Sequence, residues 1–170
     1  MQLHDFIRTI PDYPREGVDY KDITPLLNHP EAYQQAVKEL LGTVNRPKVD
    51  KVVGIESRGF IFGAALADRL RVGFIPMRKK GKLPAKTYQK EYKLEYGTDI
   101  LEVHQDAIAP GEKVIIHDDL LATGGTAVAA CHLVEQMGGE IVQVSFLVEL
   151  LFLKGREQLS GYQIDSILTY

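Results

Sequence analysis

A chain of 170 residues with 45% hydrophobic and 25% charged side chains has the size and make-up of one folded domain with a single large core, which excludes the disordered, collagen-like and coiled-coil classes. The apolar run Gly59 to Ala67 is nine residues, short of the roughly 20 that cross a bilayer, and Asp5 and Arg8 interrupt the N-terminus where a secretion signal needs unbroken apolar sequence, so the expected compartment is the cytoplasm. The net charge of −3 offers no general attraction to nucleic acid, and the one cysteine, Cys131, closes no intramolecular disulfide and builds no cysteine metal site.

After Pro30, Tyr33, Ala36, Val37, Leu40, Leu41 and Val44 recur at helical spacing, with Gly42 and Pro47 nearby as terminators, which predicts an amphipathic helix. Lys51 to Glu56 then reads as a short buried strand, Ile61 to Leu70 as a helix behind an Arg58-Gly59 turn, and Val72 to Met77 as a second strand. The next segment changes character: Arg78 to Lys93 holds seven basic residues against one acid, a charge of +6 that leaves −9 on the remainder. Lys79 to Tyr96 predicts a long loop with Gly81 and Pro84 in it, followed by a hairpin closing through Thr98 to Val103. Its lysines, interleaved with Tyr88 and Tyr92, suit a solvated face, a nucleic-acid strip or a site for a polyanionic small substrate. Farther on, Lys113 to His117 reads as a buried strand, Gly124 to Gly138 as a helix with Val128, Cys131, Val134 and Met137 on one face, and Ile141 to Val148 as another strand. Two such β-α-β units side by side imply an α/β fold whose central parallel sheet is covered by helices on both faces, within a single domain spanning 1–170.

The strongest chemical signal is Val114 to Thr126, VIIHDDLLATGGT, an apolar strand expected to end at Asp118-Asp119 before a glycine turn opens the next helix. Gly124 and Gly125 permit backbone conformations in which successive N–H groups converge on an anion, and the helix N-terminus adds partial positive charge. Ala122, Thr123 and Thr126 complete that cradle, the threonines with hydroxyl donors. Paired carboxylates beyond a parallel strand lie where open α/β sheets bind ligands, and they accept hydrogen bonds from sugar hydroxyls. A Walker loop would need lysine where Thr126 stands, and no G-x-G-x-x-G follows a strand. The histidines, His4, His29, His104, His117 and His132, form no i, i+4 ligand pair.

This segment resembles the phosphoribosyl pyrophosphate signature of the type I phosphoribosyltransferase family. Glu56-Ser57-Arg58-Gly59-Phe60, Gly81-Lys82-Leu83-Pro84, Leu94-Glu95-Tyr96-Gly97, and Leu147-Val148-Glu149-Leu150 with Lys154-Gly155-Arg156-Glu157 resemble, in the same order, the adenine-specific branch of that family. The resemblance runs from Pro11 to Tyr170. It implies transfer of the 5-phosphoribosyl group from 5-phosphoribosyl 1-pyrophosphate to adenine, giving AMP and pyrophosphate, on a type I phosphoribosyltransferase fold with a small N-terminal hood over roughly 1–30 and a flexible lid loop over roughly 79–97. Mg2+ is implied as cofactor, held through substrate, with Asp118 or Asp119 touching it through water. Asp118, Asp119 and residues Ala122, Thr123, Gly124, Gly125 and Thr126 are then the phosphoribosyl site, and Glu56, Ser57, Arg58, Gly59 and Lys82 the diphosphate site, with a cis peptide expected at Glu56–Ser57.

Adenine would stack on Tyr20 with Leu150 on its other face, read by the backbone of Asp19 and Lys21. Glu95 would exchange the purine proton, beside a catalytic Arg58, and Tyr96 would steady the closed lid. Asp19 and His117 depart from the residues usual in the family. A homodimer is implied, with Arg78 to Lys80 near the partner's site, and neither nucleic acid nor membrane is an expected partner. A nucleotide-sensing regulator on the same fold, a nucleic-acid binder using the basic segment, and a transferase for another purine are the competing readings.

Overall fold

A computed structural model describes residues 1–45, 48–94 and 97–170. Its sheet of seven strands has the order β5-β6-β4-β3-β7-β8-β9. β3 (Lys51–Ile55), β4 (Gly73–Lys79), β7 (Lys113–Leu121), β8 (Glu140–Glu149) and β9 (Ile164–Thr169) pair in parallel. β5 (Thr87–Lys93) and β6 (Thr98–His104) form an antiparallel hairpin, joined to the sheet where β6 runs antiparallel to the end of β4. The central strands are apolar on both sides because both sides are covered. Val53, Ile55, Val114, Ile116, Val144 and Phe146 pack under α4 (Gly125–Gln136), whereas Val52 and Ile115 pack with Phe62 and Leu66 of α3 (Gly59–Leu70) and Ala36 and Leu40 of α2 (Pro30–Gly42). The expected parallel sheet between helices is therefore present. Among the described residues no helix is long and apolar enough to cross a membrane.

The N-terminal part folds as a separate two-stranded antiparallel sheet, β1 (Arg8–Ile10) with β2 (Tyr20–Asp22), leading into the single turn α1 (Thr24–Leu27). Asp22 pins it: its carboxylate takes Arg8 Nη2 at 2.5 Å and Thr24 N at 2.9 Å. Burial would raise the Asp22 pKa, but the bonds from Thr24 and Arg8 outweigh it and hold the carboxyl below its ordinary value.

Three expectations need correction. Within the loop expected over 79–96, the described residues are not all irregular: β4 continues to Lys79, and β5 occupies residues 87–93. The reason lies in Tyr88 and Tyr92, which stand on one side of an extended strand; Tyr92 is 8% exposed within the core beneath α4 and Tyr88 packs against that core. They are packing residues rather than a stacking strip. Second, β7 does not end at the acid pair but runs on to Leu121, because Asp118 and Leu120 continue the register with Phe146 and Val148 of β8. Third, α2 stops at Gly42, so Val44 packs from beyond the helix. β9 extends the sheet by one strand beyond the elements that periodicity predicts.

Candidate active site

Two turns at the carboxyl ends of neighbouring strands form the site. After β3, the Glu56–Ser57 peptide is cis, as expected, and Arg58 caps α3. Gly59 opens that helix against β7; a Cβ there would lie 2.8 Å from the His117 carbonyl oxygen and 3.0 Å from Asp118 Oδ1, so only glycine lets the helix approach this closely. The Glu56 side chain turns toward the lysine-rich segment. Its carboxylate accepts from Lys82 Nζ at 2.9 Å, Arg78 Nη2 at 3.2 Å and the Lys79 backbone N–H at 2.9 Å. Burial opposes ionisation, yet these three donors prevail and pull its pKa down to about 2. Glu56 and Lys82, both expected to meet diphosphate, are thus bound to each other.

After β7, Ala122 and Thr123 lead into Gly124, whose φ of +92° is the left-handed conformation glycine tolerates best, and α4 begins at Gly125. The turn encloses a cavity of about 80 Å³ lined by Asp118, Thr123, Gly124, Gly125 and Thr126 among others, with the α4 N-terminus facing it. It is braced from behind by α5 (Gly155–Gln158): a Cβ on Gly124 would meet the Gly155 carbonyl oxygen at 2.7 Å, and one on Gly155 would collide with the Ala122 carbonyl oxygen. Arg156 locks the brace with a forked pair to Glu149, at 2.9 and 2.6 Å, and a bond to the Ile164 carbonyl at 3.0 Å. From the front, the Lys93 carbonyl oxygen would lie 3.0 Å from a Cβ on Gly125, so the hairpin rests on the helix start.

The two acids, adjacent in β7, differ in their partners. Asp118 lines the cavity of the second turn, lies against Gly59 at the start of α3, and accepts the Asp119 N–H at 2.8 Å. Asp119, 4% exposed, points to α3, where its Oδ2 lies 2.9 Å from Arg58 Nε. Burial raises both carboxyls; the Asp119 charge raises Asp118 further, while Arg58 pulls Asp119 back. Arg58 therefore links the first turn to β7 two residues before the strand ends, and its Nη1 also donates to the Tyr20 hydroxyl in β2. Tyr20 meets Tyr13 edge-on, with centroids 5.2 Å apart.

Among the other expected base-site residues, Asp19 is exposed, Lys21 Nζ donates to Thr9 Oγ1 at 2.9 Å, and Leu150 lies buried just past β8, its N–H on the Leu121 carbonyl at 3.0 Å. Glu95 and Tyr96 lie outside the described residues. His117 is wholly buried, Nδ1 3.3 Å from Ser145 Oγ, and burial pushes its pKa down to about 3, which keeps it neutral and within the core. The bracing role of Gly155 and Arg156 escapes a reading of the sequence. Their motif is visible there, but its contact with the earlier turn depends on the β8-to-β9 crossover.

The phosphoribosyl transferase domain family matches residues 23–162. The adenine phosphoribosyltransferase of Christiangramia forsetii is 58% identical over 170 residues, covering 100% of this chain and 99% of that protein. Among solved structures, that of adenine phosphoribosyltransferase from Thermoanaerobacter pseudethanolicus is similar with a TM-score of 0.96 at 49% identity, covering 99% of this chain and 100% of that one. The enzyme from Saccharomyces cerevisiae, complexed with an imino-altritol bisphosphate and adenine, has a TM-score of 0.91 at 40% identity, covering 96% and 95% of the two chains.

Proposed function

The chain belongs to the adenine phosphoribosyltransferase family, transferring the 5-phosphoribosyl group from its pyrophosphate ester to adenine with release of AMP and pyrophosphate, and from that premise we propose how its residues divide the work. The 5′-phosphate sits in the turn at 122–126, on converging N–H groups, the two threonine hydroxyls and the α4 N-terminus. Asp118 and Asp119 accept hydrogen bonds from the ribose hydroxyls. Arg58, with Ser57, Gly59 and Lys82, receives the diphosphate; Glu56 acts by holding Lys82 and Arg78 close to that turn until the ligand competes for them.

Substitution at the anomeric carbon passes through a transition state with oxocarbenium character. The groups that matter most then stabilise the departing diphosphate and exclude water. The hairpin carrying the basic residues closes over the diphosphate as a lid, Glu95 exchanges the proton at purine N9, and Tyr96 steadies the closed form. Tyr20 and Leu150 sandwich the base while the Asp19 and Lys21 backbone reads its edge.

Asp118, a carboxylate facing the phosphate cavity, fits a hard cation held mainly by substrate oxygens. Mg2+ bound to the diphosphate and ribose hydroxyls, reached by Asp118 or Asp119 through water, would neutralise leaving-group charge. A cytoplasmic homodimer, with Arg78 to Lys80 toward the partner's site, completes the reading.

The observation that carries these assignments is the Arg58–Asp119 ion pair, which ties the turn at the end of β3 to the last residues of its neighbour β7, just ahead of the turn at 122–126. A donor with a phosphate at one end of its ribose and a diphosphate at the other needs two such turns side by side. Incubation with the phosphoribosyl donor, Mg2+ and each purine in turn tests the base assignment. AMP should form rapidly, and a comparable rate with a 6-oxopurine would overturn the proposed hood contacts.

A further inference from the structure

Tyr20 and Arg58 are 38 residues apart and belong to different elements, the hood strand β2 and the start of α3, yet the phenol accepts a hydrogen bond from Arg58 Nη1. The guanidinium carbon lies 5.2 Å from the Tyr20 ring centroid, and Nε of the same side chain forms an ion pair with Asp119 Oδ2 at 2.9 Å. An aromatic ring, a cation and a buried acid are thereby connected in series. Stacking on a purine needs only the ring. The hydroxyl does something else.

We propose that the Tyr20 hydroxyl is a positioning group for Arg58 and couples the base subsite to the donor subsite. The inference rests on Tyr20 being the base platform, as proposed above. An unrestrained arginine surrenders rotamer freedom when it binds a diphosphate. A base stacked on Tyr20 fixes the ring and therefore the hydroxyl; with Nη1 held by that hydroxyl and the guanidinium drawn to the Asp119 charge, the remaining face of the fork is presented to the diphosphate already ordered. Because the coupling is a free energy shared by the two ligands, adenine strengthens donor binding and the donor strengthens adenine binding by the same factor.

Calorimetric titration of 5-phosphoribosyl 1-pyrophosphate with Mg2+ tests this, performed on the full chain alone and saturated with 9-deazaadenine, whose ring carbon in place of N9 accepts no phosphoribosyl group by the normal route. In the unmodified protein the analogue should tighten donor binding by about fivefold or more, the lower range of site-to-site couplings. Tyr20→Phe keeps the ring: it should bind the analogue alone within about threefold of the parent, while the coupling factor collapses toward one. Tyr20→Leu, which removes the platform, should lose analogue affinity outright. If Tyr20→Phe retains the parental factor, or the parent shows none, the coupling is wrong even when Tyr20→Leu confirms the platform. If Tyr20→Phe loses analogue affinity as badly as Tyr20→Leu, the hydroxyl contacts the base and the positioning role falls. If Tyr20→Leu binds the analogue normally, the platform itself is wrong and the inference goes with it.

Discussion

The turn after β3 and the turn after β7 leave adjacent strands of the same sheet, yet the anion sites proposed for them are built by opposite means. At 56–59 the preparation is in side chains: Glu56 holds Lys82 and Arg78, and Arg58 holds Asp119 and Tyr20. At 122–126 it is in the backbone, set by the left-handed Gly124 and braced through Gly155. The contrast matches the fates of the two groups in the reaction. The 5′-phosphate stays on the sugar from substrate to product and suits a fixed cradle, whereas the diphosphate must be gripped and then released, which suits charged side chains able to exchange partners.

The harshest way to break the comparison is Gly124→Val. It meets both a φ of +92° and a backbone oxygen 2.7 Å from its Cβ, so the converging N–H groups must move. Donor affinity measured by calorimetry should fall by about 10²-fold or more, since each bond to a charged phosphate contributes on the order of 1.5–3 kcal/mol. An unchanged affinity would sink the phosphate assignment. Glu95→Gln should act on neither cradle: turnover drops by about 10²-fold with both substrate affinities near parental values. Single-turnover chemistry within about threefold of the parent would withdraw its proton-transfer role.

Arg58→Ala should weaken donor and pyrophosphate by about 10- to 100-fold but leave AMP, which lacks a diphosphate, much less affected. Equal losses for AMP and donor would contradict the division between the turns. Gly155→Ala disturbs the other cradle from behind. Its Cβ would collide with the Ala122 carbonyl oxygen, so α5 must back away from the turn. About tenfold weaker binding is expected for donor and AMP alike, because both carry the 5′-phosphate, and selective loss of the donor alone would count against the brace.

The backbone cradle is the more legible of the two from sequence. Asp118, Asp119, the threonines and Gly124-Gly125 fall within a few residues, and local turn chemistry is what short motifs encode. The α/β layering is legible for the same reason, since β3, β7 and β8 are apolar on both faces and spaced by helices. Charge misleads at β5: the exposed Lys90 and Lys93 flank the buried Tyr92 and break the apolar alternation, so the segment resembles loop. β7 is cut short because acids within a strand resemble a strand's end. The partners of Glu56 and Arg58, and the Gly155 brace, are joined across separations of 22 to 61 residues that no local pattern reports. Side-chain cradles are assembled by topology, and so they are the part that needs coordinates.

The smallest expected effect isolates what Glu56 contributes. Its pKa of about 2, against an ordinary 4.5, means that between those values the unfolded chain binds a proton there and the folded chain does not. The stabilisation is therefore complete above about pH 4.5 and is lost as pH falls toward 2. Glu56→Gln keeps the shape and an acceptor for the Lys79 N–H but has no charge for Lys82 or Arg78. Because Lys82 is half-exposed and its attraction screened, the cost at pH 7 should be about 1–2 kcal/mol, or roughly 3–6 °C in Tm for a chain of this size. The gap between parent and variant should narrow steadily from about pH 5 to about pH 3, where protonation begins to remove from the parent what the substitution removed from the variant. Donor affinity should hold or improve, since Lys82 and Arg78 no longer have to be won from Glu56. A Tm gap that stays constant or widens on acidification would show that the Glu56 carboxylate is not the group held in its ionised form, and the partner-exchanging cradle would lose its central restraint.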